Sequence, residues 1–193
     1  IRDCYQCKFD WGGVGVLDII DIMADLYPYA GPGHWNDAEM LEIGNGGMTR
    51  DEYMTHFSMW CMLATPLMAG NDLRKMDTET KEILTNKEVI AVNQDKLGQQ
   101  ARRFMDMGEK EIWAKPLANG ELAVCFLNRT ESVWKLNYDW HKQTIYFADQ
   151  VNMRKNEYVI RDLWKHQNIG TTKDNTKYEI APHGVLMVRL SMK

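Results

Sequence analysis

The first half of the chain has the apolar spacing of helices. Apolar residues recur with a helical repeat up to Leu26, and Pro28 follows the segment. A second run begins with Thr49, which is followed three residues later by Glu52 in the pattern of a capping box. These patterns predict helices over residues 14–26, 49–64 and 77–86.

Two short segments between the helices have the character of strands. Segment 31–41 starts with turn residues and then becomes strand-like, and the apolar run 66–69 predicts a short buried strand. Helices and strands therefore alternate over residues 12–95, which predicts a parallel sheet or barrel. In a (β/α)8 barrel the active site lies at the carboxyl ends of the strands, and here the loops at those ends are polar.

The second half of the chain has a different pattern. Short runs rich in Trp, Tyr, Val, Ile and Phe are separated by turn residues, which is typical of an antiparallel sandwich. We place the boundary near Gly98, giving domains at 1–98 and 99–193. Hairpin turns are predicted at Met107-Gly108, Asn119-Gly120 and His183-Gly184. Strands are predicted over 103–106, 110–117, 121–128, 132–138, 143–148, 157–163, 168–172, 176–181 and 184–190.

Composition and charge exclude several classes of protein. The 193 residues carry a net charge of −4, so the basic footprint of a nucleic-acid-binding protein or of one that binds an anionic membrane is absent. No apolar run is long enough to span a bilayer. The histidines are scattered without metal-ligand spacing, so no metal site is predicted.

The tryptophans of the second half allow two interpretations. Exposed indoles form stacking platforms for sugars, whereas buried ones fill a core or an interface between domains. We favour core packing for this set, which consists of Trp113, Trp134, Trp140 and Trp164.

Two features would matter in an oxidising compartment. Cys4 and Cys7 form a CxxC motif without a second pair at zinc spacing, so either a short disulfide or two free thiols is expected. Asn128-Arg129-Thr130 is a glycosylation sequon, which has meaning only in a secreted eukaryotic protein.

Cys61 and Cys125 lie in apolar segments and are predicted to be core residues.

Three long segments strongly resemble glycoside hydrolase family 27, which contains α-galactosidases and α-N-acetylgalactosaminidases. They are GPGHWNDAEMLEIGNGGMT at 31–49, PLMAGNDLRKM at 66–76 and VIAVNQDKLG at 89–98. The family fold is a (β/α)8 barrel followed by an antiparallel β-sandwich. The resemblance implies that this chain supplies only the last part of the barrel, with strands seven and eight, and the whole sandwich. A complete barrel needs about 250 residues, so the N-terminal half of the barrel is an expected partner of this chain.

The resemblance also implies where the catalytic groups lie. Family members are retaining hydrolases that use two carboxylates, and no metal or organic cofactor is implied. The nucleophile Asp follows strand four and the acid/base Asp follows strand six, which places both upstream of Ile1 in the alignment we favour. A second alignment, which pairs Arg2 and Trp11 with family residues, would put Gln6 at the acid/base position and imply a dead site. Neither alignment gives this chain a catalytic carboxylate, so the chain alone is expected to be inactive.

The residues that the resemblance assigns to substrate binding are Glu39 and Met40. The family usually has Pro-Asp where this chain has Ala38-Glu39, and the longer carboxylate puts the identity of the sugar in doubt. Glu39 as a solvated loop acid is the alternative interpretation. Trp35 and Asp37 are further candidates for ligand contact, although a role in holding the loop is favoured for both.

The function implied is that of a retaining exo-glycosidase acting on terminal α-D-galactosyl residues of oligosaccharides or glycoconjugates. The alternative is a non-catalytic remnant or a galactose-binding module. The sequence leaves open N-acetylgalactosamine and arabinopyranose as substrates, and it leaves open a homo-oligomer. It favours a secreted, periplasmic or lysosome-like compartment.

Overall fold

The computed structural model describes residues 3–7, 13–142, 145 and 153–193. Within these ranges a helical region is followed by a β-sandwich. The strand predicted at 143–148 lies outside the described residues except for position 145. No helix among the described residues has the length and apolar character needed to cross a membrane.

The three predicted helices are confirmed, and a fourth follows directly. Thr49 and Glu52 form the predicted capping box, in which the Thr49 amide donates to Glu52 Oε2 at 2.7 Å. The helix that they start is buried on almost every side, so it is the central helix of this region. The helices are α1 (Val16–Met23), α2 (Arg50–Leu63), α3 (Thr78–Leu84) and α4 (Lys87–Asn93).

The two strands predicted in the first half are wrong as regular, buried strands. They meet only in a single parallel bridge between Leu41 and Ala69. Glu39 has a left-handed backbone with φ of 73°, which breaks the extended conformation that a ladder needs. The run 66–69 is largely exposed, and Met68 has 67% of its surface accessible. Two bridging segments without further neighbours cannot form a stable sheet.

The sandwich consists of two antiparallel sheets. Six strands form one sheet in the order β1-β2-β3-β8-β5-β6, and β4 pairs with β7 in the other. The hairpins predicted at Met107-Gly108 and Asn119-Gly120 are present. The hairpin predicted at His183-Gly184 is wrong, because that turn connects β7 to β8, which belong to different sheets. The strands are β1 (Arg102–Asp106), β2 (Lys110–Pro116), β3 (Leu122–Asn128), β4 (Trp134–Tyr138), β5 (Tyr158–Asp162), β6 (Gln167–Thr171), β7 (Thr176–Ile180) and β8 (Val185–Met192).

The six-stranded sheet is covered on both faces, which explains why β3 is apolar at nearly every position. Val124 and Phe126 point into the core between the two sheets. Cys125 and Leu127 point to the other face and pack against the helices. The helical region therefore shares an apolar core with one face of this sheet, and the core between the two sheets lies on the other face.

The burial of the tryptophans confirms the core interpretation for most of the set. Trp113 and Trp140 are fully buried, and Trp134 is 8% exposed. Trp164 is the exception, because part of its indole remains accessible at the junction of the two regions. Cys61 and Cys125 are buried free thiols, as predicted.

A buried ion cluster fixes α1 to the sandwich. Glu111 is 1% exposed and pairs with Arg129 and Arg103, and both guanidiniums also reach Asp21 of α1. Burial acts to raise the pKa of Asp21, but the bonds from Arg129 and Arg103 outweigh it and hold that pKa below its usual range. Asp21 therefore stays ionised at neutral pH.

Candidate functional site

The loop of residues 35–42, called here the Glu39 loop, is anchored at its start by Asn36. The Asn36 amide donates to the carbonyl of Leu26 at 2.6 Å and to Oε1 of Gln100 at 2.8 Å. Gln100 in turn donates to the carbonyl of Met23 at 2.7 Å. The loop is thus tied both to the end of α1 and to the segment that enters the sandwich.

The backbone of Glu39 is held by hydrogen bonds on both sides. Its amide donates to Asp37 Oδ1 at 2.9 Å, and its carbonyl accepts the indole N–H of Trp60 at 2.8 Å. The preceding residue, Ala38, donates its amide to Thr65 Oγ1 at 2.8 Å. A left-handed backbone at a residue other than glycine costs roughly 1 kcal/mol or more, and these bonds offset it. The carboxylate of Glu39 is therefore presented at the surface on a fixed backbone.

The Ala38 amide explains how this chain accommodates its departure from the Pro-Asp pattern. Proline has no N–H, so the bond to Thr65 exists only because position 38 is not proline. Aspartate is also easier than glutamate to place in a left-handed backbone. The chain therefore combines a longer acid at position 39 with an additional backbone anchor at position 38.

Met40 lies beside Glu39 at the edge where Leu41 and Ala69 meet. Leu41 donates to the carbonyl of Met68 at 2.7 Å and accepts from the Gly70 amide at 2.8 Å. A Cβ atom at Gly70 would lie 2.8 Å from the backbone carbonyl oxygen of Leu41 and 2.7 Å from Sδ of Met40, so the close approach of the two backbones requires glycine. Met40 itself is 39% exposed. An exposed thioether thus follows an exposed carboxylate directly along the chain.

His56 contacts the Glu39 loop from the protein interior. Its Nε2 accepts the amide of Glu42 at 3.0 Å, and its ring meets the Trp60 indole edge-on with centroids 4.0 Å apart. Complete burial lowers the pKa of His56 to about 3. The ring is therefore neutral and can accept the Glu42 hydrogen bond throughout the neutral range.

Trp35 and Asp37 lie in the same loop but make different contacts. Asp37 holds the loop through the Glu39 amide, as the favoured interpretation expected. Trp35 is 47% exposed and borders an open cleft of about 480 Å³. Its ring lies so close to Gly98 that a Cβ atom there would come within 2.6 Å. Ligand contact by either side chain stays a prediction.

The polar pairs that follow the second bridging segment have structural contacts. Arg74 donates to both carboxylate oxygens of the exposed Asp72, at 2.9 and 3.0 Å. Asn93 donates to the carbonyl of Thr65 at 2.9 Å, and Asp95 accepts the Ala118 amide from the sandwich. Asn93 and Asp95 thus connect neighbouring segments and also line the cleft that Trp35 borders, whereas the Asp72–Arg74 pair is local to one exposed turn.

The segment 3–7 lies against the loop that follows Met40. Asp3 accepts the amide of Gly47 at 2.7 Å, and the hydroxyl of Tyr53 also reaches its carboxylate. Cys4 and Cys7 are joined in a disulfide, which selects one of the two expected states. Gln6 is exposed within this small ring. Arg2, Asp10 and Trp11 lie outside the described residues, so the two alternative alignments remain open.

The glycosylation sequon is built into the sandwich. Asn128 is fully buried, and its amide nitrogen donates to the carbonyls of Ser132, Ile180 and Ala181. Its Oδ1 accepts from the amide and the hydroxyl of Thr130. The side chain therefore connects the end of β3 to the end of β7 and to the segment before β4 through hydrogen bonds.

Several contributors to the site were missed by reasoning from the sequence. The helical repeat places Trp60 on one face of a helix with Phe57 and Cys61, and no local pattern connects His56 or Thr65 with position 39. All three reach the loop across distances in sequence that no local pattern reveals. Among the described residues, no group of three or more His, Cys, Asp or Glu side chains could hold a metal ion.

Comparison with known proteins agrees with this arrangement along the whole chain. A sequence model described as alpha galactosidase A matches residues 2–95, and one described as the alpha galactosidase C-terminal beta sandwich domain matches residues 107–190. This chain belongs to the α-galactosidases of glycoside hydrolase family 27. The family fold accounts for both regions. The helical region is part of a (β/α)8 barrel, and the β-sandwich follows it.

Individual family members show how much of the protein this chain represents. Alpha-galactosidase A of Cellvibrio japonicus is 44% identical over 99% of this chain and 48% of its own length. Alpha-galactosidase I from Mortierella vinacea is 32% identical, with a TM-score of 0.89 over 98% of this chain and 50% of its own. A β-L-arabinopyranosidase of the family from Geobacillus stearothermophilus is 28% identical, with a TM-score of 0.75 over 91% of this chain and 41% of its own. The chain thus spans about half the length of the relatives that it matches.

Proposed function

We propose that this chain forms the C-terminal part of a retaining exo-glycosidase that releases terminal α-D-galactosyl residues from oligosaccharides or glycoconjugates. The observation that carries the proposal is the fixed backbone of Glu39, which Trp60, Asp37 and Thr65 hold in place. A carboxylate on a rigid backbone can accept two hydrogen bonds from sugar hydroxyls without the entropic cost of ordering a loop.

In this proposal Glu39 binds hydroxyls of the terminal sugar and Met40 contacts its apolar face. Both side chains are exposed. The choice of galactose rests on the α-galactosidases among the relatives, whereas the β-L-arabinopyranosidase acts on a sugar that lacks the 6-hydroxymethyl group. The additional methylene of Glu39 alters the reach of the carboxylate, so it is the residue through which sugar preference is best tested.

The proposed chemistry needs two carboxylates about 5–5.5 Å apart, one acting as the nucleophile and one as the acid and base. The family pattern places both outside this chain, and the segment 3–7 would then lead directly away from the acid/base residue. Asp3 bonds to Gly47 in the loop that follows Met40, so these two parts of the site would be coupled through one hydrogen bond. We propose that the 193-residue chain alone is inactive.

We also propose an oxidising compartment, such as the cell exterior, a periplasm or a lysosome-like organelle. The Cys4–Cys7 disulfide supports this proposal, since disulfides persist in such compartments. The alternative of a galactose-binding module depended on the sandwich tryptophans. The burial of Trp113, Trp134 and Trp140 weakens that alternative.

The first experiment is to sequence the coding region upstream of Ile1 and to express the longer product. We expect further β/α units with one Asp directly before Ile1 and another after the fourth strand, and hydrolysis of an aryl α-galactoside. A stop codon or an unrelated sequence at this place would contradict the proposal.

The role of Glu39 is tested in that longer product. Glu39→Ala should lower kcat/KM for the aryl α-galactoside by about a hundredfold, which equals roughly 2.7 kcal/mol. Glu39→Asp restores the family's usual acid and should retain most of the activity. Asp51→Ala removes another exposed carboxylate and serves as the matched control. An unchanged kcat/KM in Glu39→Ala would remove Glu39 from the site.

A further inference from the structure

Trp164 belongs to the set of four tryptophans that could form a sugar platform, and it is the one member of that set that is only partly buried. It lies on the turn between β5 and β6, and this turn is rigid. Asp162 is buried and accepts the amides of Trp164 and Lys165 at 3.0 Å each, and the hydroxyl of Tyr178 donates to its second oxygen at 2.8 Å. The position of the indole is therefore set before any ligand arrives.

The orientation of the indole leaves an apolar surface for contact. Its N–H donates to Ser58 Oγ at 2.9 Å, and its ring packs edge-on against Phe57 with centroids 6.3 Å apart. The polar edge thus points into the protein, and the remainder of the half-buried ring borders open space. An indole held in this way loses little entropy when a sugar stacks on it.

Two clefts open beside this ring. The helix-side cleft has a volume of about 620 Å³ and lies against α3 and α4. The sheet-side cleft has a volume of about 430 Å³ and lies against the end of β7. Trp164 and Arg50 line both of them. Each volume lies within the range of small-molecule sites, and together they form a groove divided by one indole.

The charges in the groove favour a neutral ligand rich in hydroxyl groups. The helix-side cleft contains Arg50 and Lys87 together with Glu82 and Glu88. Glu88 is already bonded to Arg161 at 2.6 and 2.7 Å. The sheet-side cleft contains basic and acidic side chains in similar numbers. Neither cleft has the excess of cations that an anion would need, whereas sugar hydroxyls can donate to the acids and accept from the bases.

This groove is separate from the Glu39 loop. Trp164 packs on Ser58, whereas the Glu39 carbonyl is bonded to Trp60. Two residues that are two positions apart on an α-helix point in nearly opposite directions. The two surfaces therefore lie on opposite sides of α2.

We propose that the groove divided by Trp164 is a second carbohydrate-binding site for a neutral oligosaccharide. One sugar unit of the oligosaccharide would lie in each cleft, and the linkage between them would cross the indole. The site would hold a glycan substrate near the protein without taking part in hydrolysis. The choice of a galactoside as ligand rests on the proposed function, but the groove is argued from its own side chains.

The test uses the ¹⁵N-labelled 193-residue chain and raffinose, a neutral trisaccharide with a terminal α-galactosyl unit. Each tryptophan gives one indole N–H signal, and Trp164→Phe and Ser58→Ala identify the signal of Trp164. We expect raffinose to shift this signal saturably with a millimolar Kd. The signals of the buried Trp113 and Trp140 should not move. The absence of a saturable shift at Trp164 would overturn the proposal.

The variants separate this site from the Glu39 loop. Arg50→Ala, at an exposed residue that lines both clefts, should weaken binding by about fivefold. Arg74→Ala, at an exposed arginine outside the groove, should leave binding unchanged. Glu39→Ala should also leave the Trp164 shift unchanged, so failure of the proposed function and failure of the groove are distinguished. A shift that is lost in Glu39→Ala, or that inorganic phosphate produces more strongly than raffinose, would contradict the proposal.

Discussion

The indole N–H of Trp60 donates to the backbone carbonyl of Glu39 at 2.8 Å, across 21 positions in sequence. One partner is completely buried in the last turn of α2, and the other is exposed on a loop. The position of the exposed carboxylate therefore depends on packing inside the helical region. A buried residue with no exposed surface thus contributes directly to the geometry of the site.

Replacing Trp60 with Phe removes this hydrogen bond and leaves a small cavity. We expect the free energy of unfolding to fall by about 2 kcal/mol, as measured by denaturant titration. Trp140→Phe is the matched control, because Trp140 is equally buried and donates its indole N–H to Thr176 at 2.8 Å. Amide exchange at Leu41 should accelerate more in Trp60→Phe than in the control. Equal exchange in both variants would show that the bond does not hold the loop.

The buried His56 makes stability depend on pH in a defined window. Its pKa is lowered from 6.5 to about 3 by burial, so between these values the unfolded chain binds a proton that the folded chain excludes. The free energy of unfolding should therefore fall by at most about 1.4 kcal/mol per pH unit as the pH decreases from 6.5 towards 3. Above pH 6.5 His56 is neutral in both the folded and the unfolded chain, so this loss of stability is absent there.

The variant His56→Gln isolates that contribution. Its stability relative to the unmodified chain should improve as the pH falls through the window, whatever the cost of the substitution at neutral pH. His34→Gln changes an exposed histidine and serves as the control for the loss of an imidazole. Parallel stability curves for His56→Gln and the unmodified chain would contradict the assignment.

Local chemistry made the helices and the sandwich predictable, and long-range contacts made the Glu39 loop unpredictable. The Thr49–Glu52 capping box fixed the start of α2 within one residue. The strand predicted at 31–41 was wrong because Glu39 adopts a left-handed backbone. That conformation is stabilised by Trp60 and Thr65, which lie more than 20 positions away. No local pattern in the sequence contains this information.

The sequon at Asn128 should stay unmodified. The amide nitrogen that an oligosaccharide would occupy is buried and bonded to three carbonyl oxygens. Expression in a secreting eukaryotic host, followed by intact-mass measurement, should give the unmodified mass. Asn128→Gln should lower the free energy of unfolding by about 2–3 kcal/mol, because the longer side chain leaves buried carbonyls without donors. A glycan at Asn128 on the folded protein would contradict the described packing.

Lys115 is a buried charge at the junction of the helical region and the sandwich. It is fully buried, and its Nζ donates to the carbonyl of Val92 at the end of α4 at 3.0 Å. Burial lowers its pKa from 10.5 to about 8. Between these values the unfolded chain binds more protons than the folded one, so the free energy of unfolding should rise as the pH increases from 8 to 10.5.

Lys115→Met should abolish this rise. At pH 7 it should raise the free energy of unfolding by at most about 3 kcal/mol, and the loss of the hydrogen bond to Val92 reduces this gain. The advantage of the variant should shrink as the pH rises from 8 through 10.5, because above 10.5 the lysine is neutral in both the folded and the unfolded state. Lys135→Met, at an exposed position of β4, is the control for the loss of a lysine. Denaturant titrations at pH 7 and pH 10 decide the matter, because an advantage of equal size at both values would mean that Lys115 is not forced to lose its proton by folding.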